Sequence, residues 1–461
     1  MQSGDAERAL SVSQRFCAFL SALDAASIPI SAREAAIRDL VDMSGLCVAA
    51  RRESYVRQIA EAWDAEGPCT AIGQPRALDT AGAAVVNGVA THGEDFDDTL
   101  EGAPIRVGAM VIPAVLAVAE RFGLSGERSL VGIAAGLEAV CRLNRVAPGH
   151  MHRAGFHPVG VIGALGSAAG VGTALGLDRD RLAMALGIAS SMASGILEYL
   201  TDGAWTKRLH PGWAAQSGLR AALMARAGFF GPLTALEGHH GLYRSFAPTG
   251  TPDFSQLTER LGEDWQMRKI AFKPYACGTM IHPYIDCMIE LGREGVDARR
   301  IKSVVCETGE GLVHRLWEPL GDKHRPPSGY AAKFSMPFCM AVGFFDGDAG
   351  LAQFTDARAR DETVLELARR ISYVIDPQNE YPANYTGHVR LEMTDGTVIE
   401  RRRAHMRGGA REPLSRDDIV AKFHANVAHG GWERARGEAL LEFCETLGEA
   451  LDLSGLARFR G

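Results

Sequence analysis

Residues 159–177, VGVIGALGSAAGVGTALGL, carry no charge and almost no bulk. A run of this kind has few places to go. Its length is near the roughly 18–20 residues that cross a bilayer. However, it is rich in Gly and Ala and poor in Leu and Phe. Small residues let two helices approach closely, so the run reads as a helix packed inside a helical body. Asp178-Arg179-Asp180-Arg181 interrupts it, and a second apolar run follows at 182–197. The pair reads as a buried helical hairpin rather than a membrane span.

The rest of residues 8–275 reads as helix after helix. Ser31 followed by Glu34 predicts a capping box at the start of a helix carrying Ile37, Leu40, Val41 and Leu46. Apolar helical runs occur at 81–89 and 111–122. Apolar spacing predicts a helix over 130–143, with Ser129 as a candidate cap. Another is expected over 214–227, ended by Gly228. The character changes after about residue 275. Residues 301–307 read as a strand, and 388–402 as a hairpin turning at Asp395-Gly396 in a two-residue type I′ loop. Helical patterns recur at 331–345 and 361–371. Ser415 and Asp418 predict a boxed helix through Phe423, and a last helix covers about 432–451. The expected fold class is therefore mainly α. A large all-helical domain spans 8–275, a smaller α+β lid domain spans 276–410, and C-terminal helices at 411–461 return to the helical body.

Charge and cysteine usage narrow the function classes. With 49 Lys+Arg against 56 Asp+Glu, the net charge is −7. No basic stripe marks a nucleic-acid binder. The nine cysteines are scattered and never form a CxxC pair, which predicts reduced, buried thiols in a cytoplasmic protein. The first ten residues, MQSGDAERAL, have no apolar core, so no signal peptide is expected.

Five polar clusters carry the candidate chemistry. The densest contains His92, Glu94, Asp95, Asp97, Asp98 and Thr99. Such acids repel one another unless hydrogen-bonded, metal-bound or protonated. The plain alternative is a solvated acidic loop. A Mg²⁺ or alkene-protonating site of the helical terpene-cyclase kind would want many aromatic walls, and aromatics are only 7% here. His157 precedes Pro158, so it sits at a helix N-terminus, where the dipole keeps an imidazole neutral and fit to act as a base. His150 and His152 fall in a loop and read as solvated. Lys207, Arg208 and His210 cluster just before a helix and form a candidate anion site; a basic surface loop is the alternative. Lys273, Tyr275, Cys277, His282 and Asp286 lie where the helical pattern ends, a common place for a pocket. Cys277 reads as non-nucleophilic, because nothing nearby activates a thiolate. Lys333-Phe334-Ser335 is the least specific cluster and fits helix packing as well.

In order, Asn87-Gly88…His92-x-x-Asp95-Phe96-Asp97-Asp98-Thr99, Gly155-Phe156-His157-Pro158, Thr206-Lys207-x-Leu209-His210-x-Gly212, Lys273-Pro274-Tyr275-x-Cys277 and Ala332-Lys333-Phe334-Ser335 resemble the MmgE/PrpD family across nearly the whole chain. The resemblance implies a helical domain with an α+β lid, a homodimer, and no required cofactor or metal. It also implies a small di- or tricarboxylate substrate, as in 2-methylcitrate dehydratases, cis-aconitate decarboxylases and iminodisuccinate epimerases. By motif, Asp95 and Thr99 would line the site, His157 would be an acid/base, and Lys207 would hold a carboxylate or developing charge. His92, Arg208, Lys273 and Cys277 would add substrate contacts. The chain departs from the family after Asp98-Thr99. Many members have a His there, and this chain has Arg106, a carboxylate clamp but a poor base. Cys277 stands where some decarboxylases have a His, which argues against cis-aconitate decarboxylase.

Three readings follow. The first is a cofactor-independent lyase of the 2-methylcitrate-dehydratase type, in which His157 takes a proton alpha to a carboxylate and Lys207, Arg106 and Lys273 neutralise charge. The second is an epimerase or isomerase of a small dicarboxylate. The third is a carboxylate-binding paralogue without turnover.

Overall fold

The computed structural model describes residues 9–103 and 105–461. The N-terminal segment in which no signal peptide is expected falls largely outside them. The chain divides into two compact units. The first takes the described residues up to Gly93, then Asp97–Ile270 and Gly430–Gly461. The second takes Glu94–Phe96 and Ala271–His429.

The first unit is helical and is organised around Pro158–Ala174, every residue of which is buried. Pro158 fits the first turn because its missing N–H would have had no helical partner there. The helix packs most extensively on Thr206–Arg226 and Gly126–Val146. Small residues make this approach possible. A Cβ added at Gly218 would lie 2.2 Å from the Ala164 carbonyl oxygen, so the two backbones touch where no larger residue fits. The interrupting acids are a cap: Asp178 accepts the Arg181 N–H at 2.9 Å and starts Arg179–Met192. The two helices pack together as the expected hairpin. No helix among the described residues is long and apolar enough to cross a membrane. All nine cysteines are free and buried.

Three expected helix starts differ. Ile30–Ala50 begins after Pro29 with no side-chain cap, so Ser31 already lies in the first turn and no box forms with Glu34. Gly126–Val146 starts earlier than apolar spacing suggests, because its first turn is polar. Ser125, not Ser129, caps it by accepting the Arg128 N–H. The segment 206–212 is the opening of the Thr206–Arg226 helix, with Pro211 inside it, rather than a loop before it.

The second unit holds a four-stranded sheet in the order Ile371–Ile375, Ile301–Thr308, Gly387–Met393, Val398–Arg403. The first pair is parallel and the other two antiparallel. His282–Arg293 packs on the sheet and on Met336–Asp346, which Ser335 caps through the Phe338 N–H. The hairpin exists, but its turn is not type I′. Gly396 alone is at positive φ (85°), and its N–H bonds to the Met393 carbonyl while Met393 N–H bonds to Thr397. The loop therefore holds three residues with a glycine bulge, and Asp395, whose φ is not positive, accepts the Thr397 N–H. Ser415 and Asp418 form the expected box, and their helix runs over Arg416–His429. That helix groups with the second unit, where Lys422 donates to the Phe96 carbonyl; the return to the first unit begins at Gly430 rather than at 411.

Candidate acid–base site

In the first unit, three imidazoles converge from three helix ends. His92 closes the Thr80–His92 helix, His157 precedes Pro158–Ala174, and His210 lies in the early turns of Thr206–Arg226. The Nδ1 atoms of His157 and His210 are 2.9 Å apart. The His92 and His157 ring centres are 6.0 Å apart, and Tyr199 stands 5.8 Å from both His157 and His210. His92 and His210 are buried and His157 is half-buried.

Their surroundings keep them neutral. Burial, first, and then the neighbouring imidazoles, Lys207 and Arg106 push the His157 pKa well below its usual value. His210 is pushed down to about 4 by burial, His92 and Lys207. Burial also lowers His92, against the opposing pull of Asp97. The dipole argument thus reaches the right protonation state, but burial is the larger cause.

Neutrality gives the Nδ1 pair a definite logic. Two facing imidazole nitrogens at 2.9 Å share one proton, so one donates and the other accepts. When His157 donates from Nδ1, its Nε2 is a lone pair and can act as a base. His210 then carries its own proton on Nε2. The two tautomers are locked to each other. His210 and Tyr199 also border an open cavity of about 530 Å³, with Leu209, Trp213, Ile196 and Glu198.

The acidic segment supports this cluster. Asp97 Oδ2 lies 2.7 Å from His92 Nδ1, and its Oδ1 lies 3.4 Å from Arg106 Nε. Arg106 also donates to the Asp98 carbonyl. The Asp98 carboxylate accepts from Val107 and Gly108 at the start of Gly108–Phe122. Burial and the Asp97 charge nevertheless push the Asp98 pKa up to about 7. Thr99 is buried in the short Thr99–Leu100 strand. Lys207 lies in the first turn of its helix, and its charge reaches all three imidazoles. Arg208 is buried, donates to the Gly93 carbonyl and lies 4.2 Å above the Tyr55 ring centre. His150 and His152 lie in the short His150–Arg153 helix, half-buried.

Asp95, Lys273 and Cys277 belong to the second unit. There Lys273 Nζ donates to the Asp95 and Cys277 carbonyls and lies 3.7 Å from Asp95 Oδ1. Cys277 is fully buried, and its thiol points to the Gly278 carbonyl. Sequence reasoning missed Tyr199, which carried no signal; it placed Asp97 and His210 in candidate clusters but gave neither an acid–base role, although His210, three residues after Lys207, shares a helical face with it.

The larger unit of this mainly helical chain thus places hydrogen-bonded imidazoles beside fixed cations, an arrangement able to move a proton near an anion. Residues 14–255 match the MmgE/PrpD N-terminal domain and residues 275–444 the MmgE/PrpD C-terminal domain, and the chain belongs to the MmgE/PrpD family. It is similar to the cis-aconitate decarboxylase of Aspergillus terreus, with 26% identity over 99% of this chain and 97% of that protein. It is also similar to the cis-aconitate decarboxylases of Mus musculus (29% identity, 87% and 83% covered) and Homo sapiens (29%, 81% and 78%).

Proposed function

We propose that the protein is a cofactor-independent lyase acting on a small di- or tricarboxylate. The observation that carries this reading is the His157–His210 pair, which makes His157 a neutral base in a positive field. In the proposed reaction His157 Nε2 takes the proton alpha to a carboxylate. Lys207 stabilises the enediolate-like charge that develops, and Arg106 adds to the field. Asp95 and Thr99 keep the orienting role that the family resemblance implies, and the hydroxyl on the adjacent carbon leaves as water with the proton that His157 has taken, which returns His157 to neutral. A base neutral before substrate arrives suits proton abstraction, which favours dehydration. The curated relatives favour a second reading, decarboxylation of a cis-aconitate-like acid, despite Cys277. There, loss of CO₂ leaves a carbanion that a protonated His157 must quench. A homodimer in the cytoplasm belongs to the same proposal; light scattering tests the first.

The test is proton NMR in D₂O with hydroxy-, amino- and unsaturated di- and tricarboxylates. A new vinyl signal with the carbon count kept supports dehydration. Loss of one carbon as CO₂ supports decarboxylation. Deuterium entering an otherwise unchanged substrate would replace the lyase reading with epimerisation. Thermal stabilisation by an acid without any product would leave only a binding protein.

A further inference from the structure

Asp95 is one of two described non-glycine residues with positive φ, at 57°. Aspartate tolerates that conformation better than most residues but still at a cost, which contacts along the segment offset. Three buried lysines make them, one for each residue of the segment Glu94–Asp95–Phe96, all within the second unit. Lys333 Nζ donates to the Glu94 carbonyl at 2.7 Å and pairs with Glu94 Oε2 at 2.6 Å. Lys273 Nζ donates to the Asp95 carbonyl and lies 3.7 Å from Asp95 Oδ1. Lys422 Nζ donates to the Phe96 carbonyl at 2.8 Å and sits 4.0 Å from the Phe96 ring centre. Each ammonium thus grips both the backbone and the side chain of its own residue. Burying three cations around three residues is expensive, and it is repaid only where their acceptors are fixed.

We propose that Lys333 and Lys422 are positioning residues that, with Lys273, hold Asp95 in its left-handed conformation and so aim its carboxylate. Lys273 on this view acts through Asp95, not as a substrate contact. The inference rests on the reading above, in which Asp95 is a site residue. Lys333→Met and Lys422→Met keep the aliphatic stem and remove the ammonium. With the substrate found by NMR, each lowers kcat at least about tenfold while KM moves less than about threefold, and the matching Lys→Arg variant recovers part of the loss. In an Asp95→Asn background the same change costs less than about twofold, because residues acting through one group are not additive. A crystal structure of Lys422→Met shows Asp95 relaxed to negative φ. Should Lys422→Met fail to fold, Lys333→Met carries the same readouts, the Asp95 φ included. Folded variants with wild-type kcat, losses that multiply with Asp95→Asn, or an unchanged Asp95 φ would each overturn the proposal. Full activity in Asp95→Asn alone would instead remove Asp95 from the function, and the φ of Asp95 in the Lys422 variant would still decide the clamp.

Discussion

Replacing His210 with Phe tests the tautomer lock directly. Phe keeps a ring of similar size beside Tyr199 but offers no nitrogen to His157. A neutral hydrogen bond contributes about 1 kcal/mol net, and a buried nitrogen left without its partner costs up to about 3 kcal/mol. At about 1.4 kcal/mol per factor of ten, kcat/KM should fall between roughly fivefold and 150-fold. The pH profile separates this from general damage. His210 is one of the groups that depress the His157 pKa, so removing it lets that pKa rise. The acid limb of kcat/KM then moves to higher pH. His210→Asn, whose amide can donate or accept, restores part of the rate. The assay is initial rate against pH, with the thermal midpoint as a control for folding. A His210→Phe enzyme within about twofold of wild type at pH 7, with its acid limb unmoved, would refute the reasoning.

His157→Ala and Lys207→Ala should each lower kcat/KM at least about 100-fold, the range of a lost base or charge stabiliser; near-wild-type turnover in either removes that residue from the mechanism. Asp98 makes stability depend on pH. Its native pKa of about 7 lies above the unfolded carboxylate value, so between them the native state binds more protons and stability falls as pH rises. Asp98→Asn should flatten that fall in thermal midpoint between about pH 4 and 7, and an unchanged slope would contradict the assignment. Gly218→Ala drives a Cβ into the Ala164 carbonyl and should destabilise by about 1–3 kcal/mol in chemical denaturation. An unmoved midpoint would mean the two helices can separate freely.

Much of the fold was legible because its signals are local. The absence of charge and bulk over 159–177 is a property of one segment, and it demands tight packing whatever the neighbours are. Asp178 and the Ser415–Asp418 box cap their own helices within four residues. The failures came where two local signals competed. Pro29 starts a helix before Ser31 can cap it, and Ser125 takes the role expected of Ser129. At Asp395-Gly396 the dipeptide marked the turn, but the loop length, which depends on pairing, decided its type.

The site was legible by the same measure and no further. His157 next to Pro158 announces a helix N-terminus, and Lys207 with His210 announces one helical face. Nothing in either motif says that residues 53 positions apart place their Nδ1 atoms 2.9 Å apart. The acidic run is the sharper case. Read alone, it looked like a solvated loop or a metal cluster, because its counter-charges are distant in the chain. The fold supplies them: Asp97 has His92 and Arg106, Asp98 has two backbone N–H groups, and Glu94 and Asp95 have Lys333 and Lys273. The repulsion that made the run improbable in sequence is therefore offset at each acid by partners of its own, and between Asp97 and Asp98 it persists, adding to burial in raising the Asp98 pKa. Removing a partner of Asp97 or Asp98 should therefore disturb that acid first, whereas the three lysines hold one continuous stretch of backbone, so the Lys333 and Lys422 variants measure whether a grip on Glu94 or Phe96 reaches Asp95.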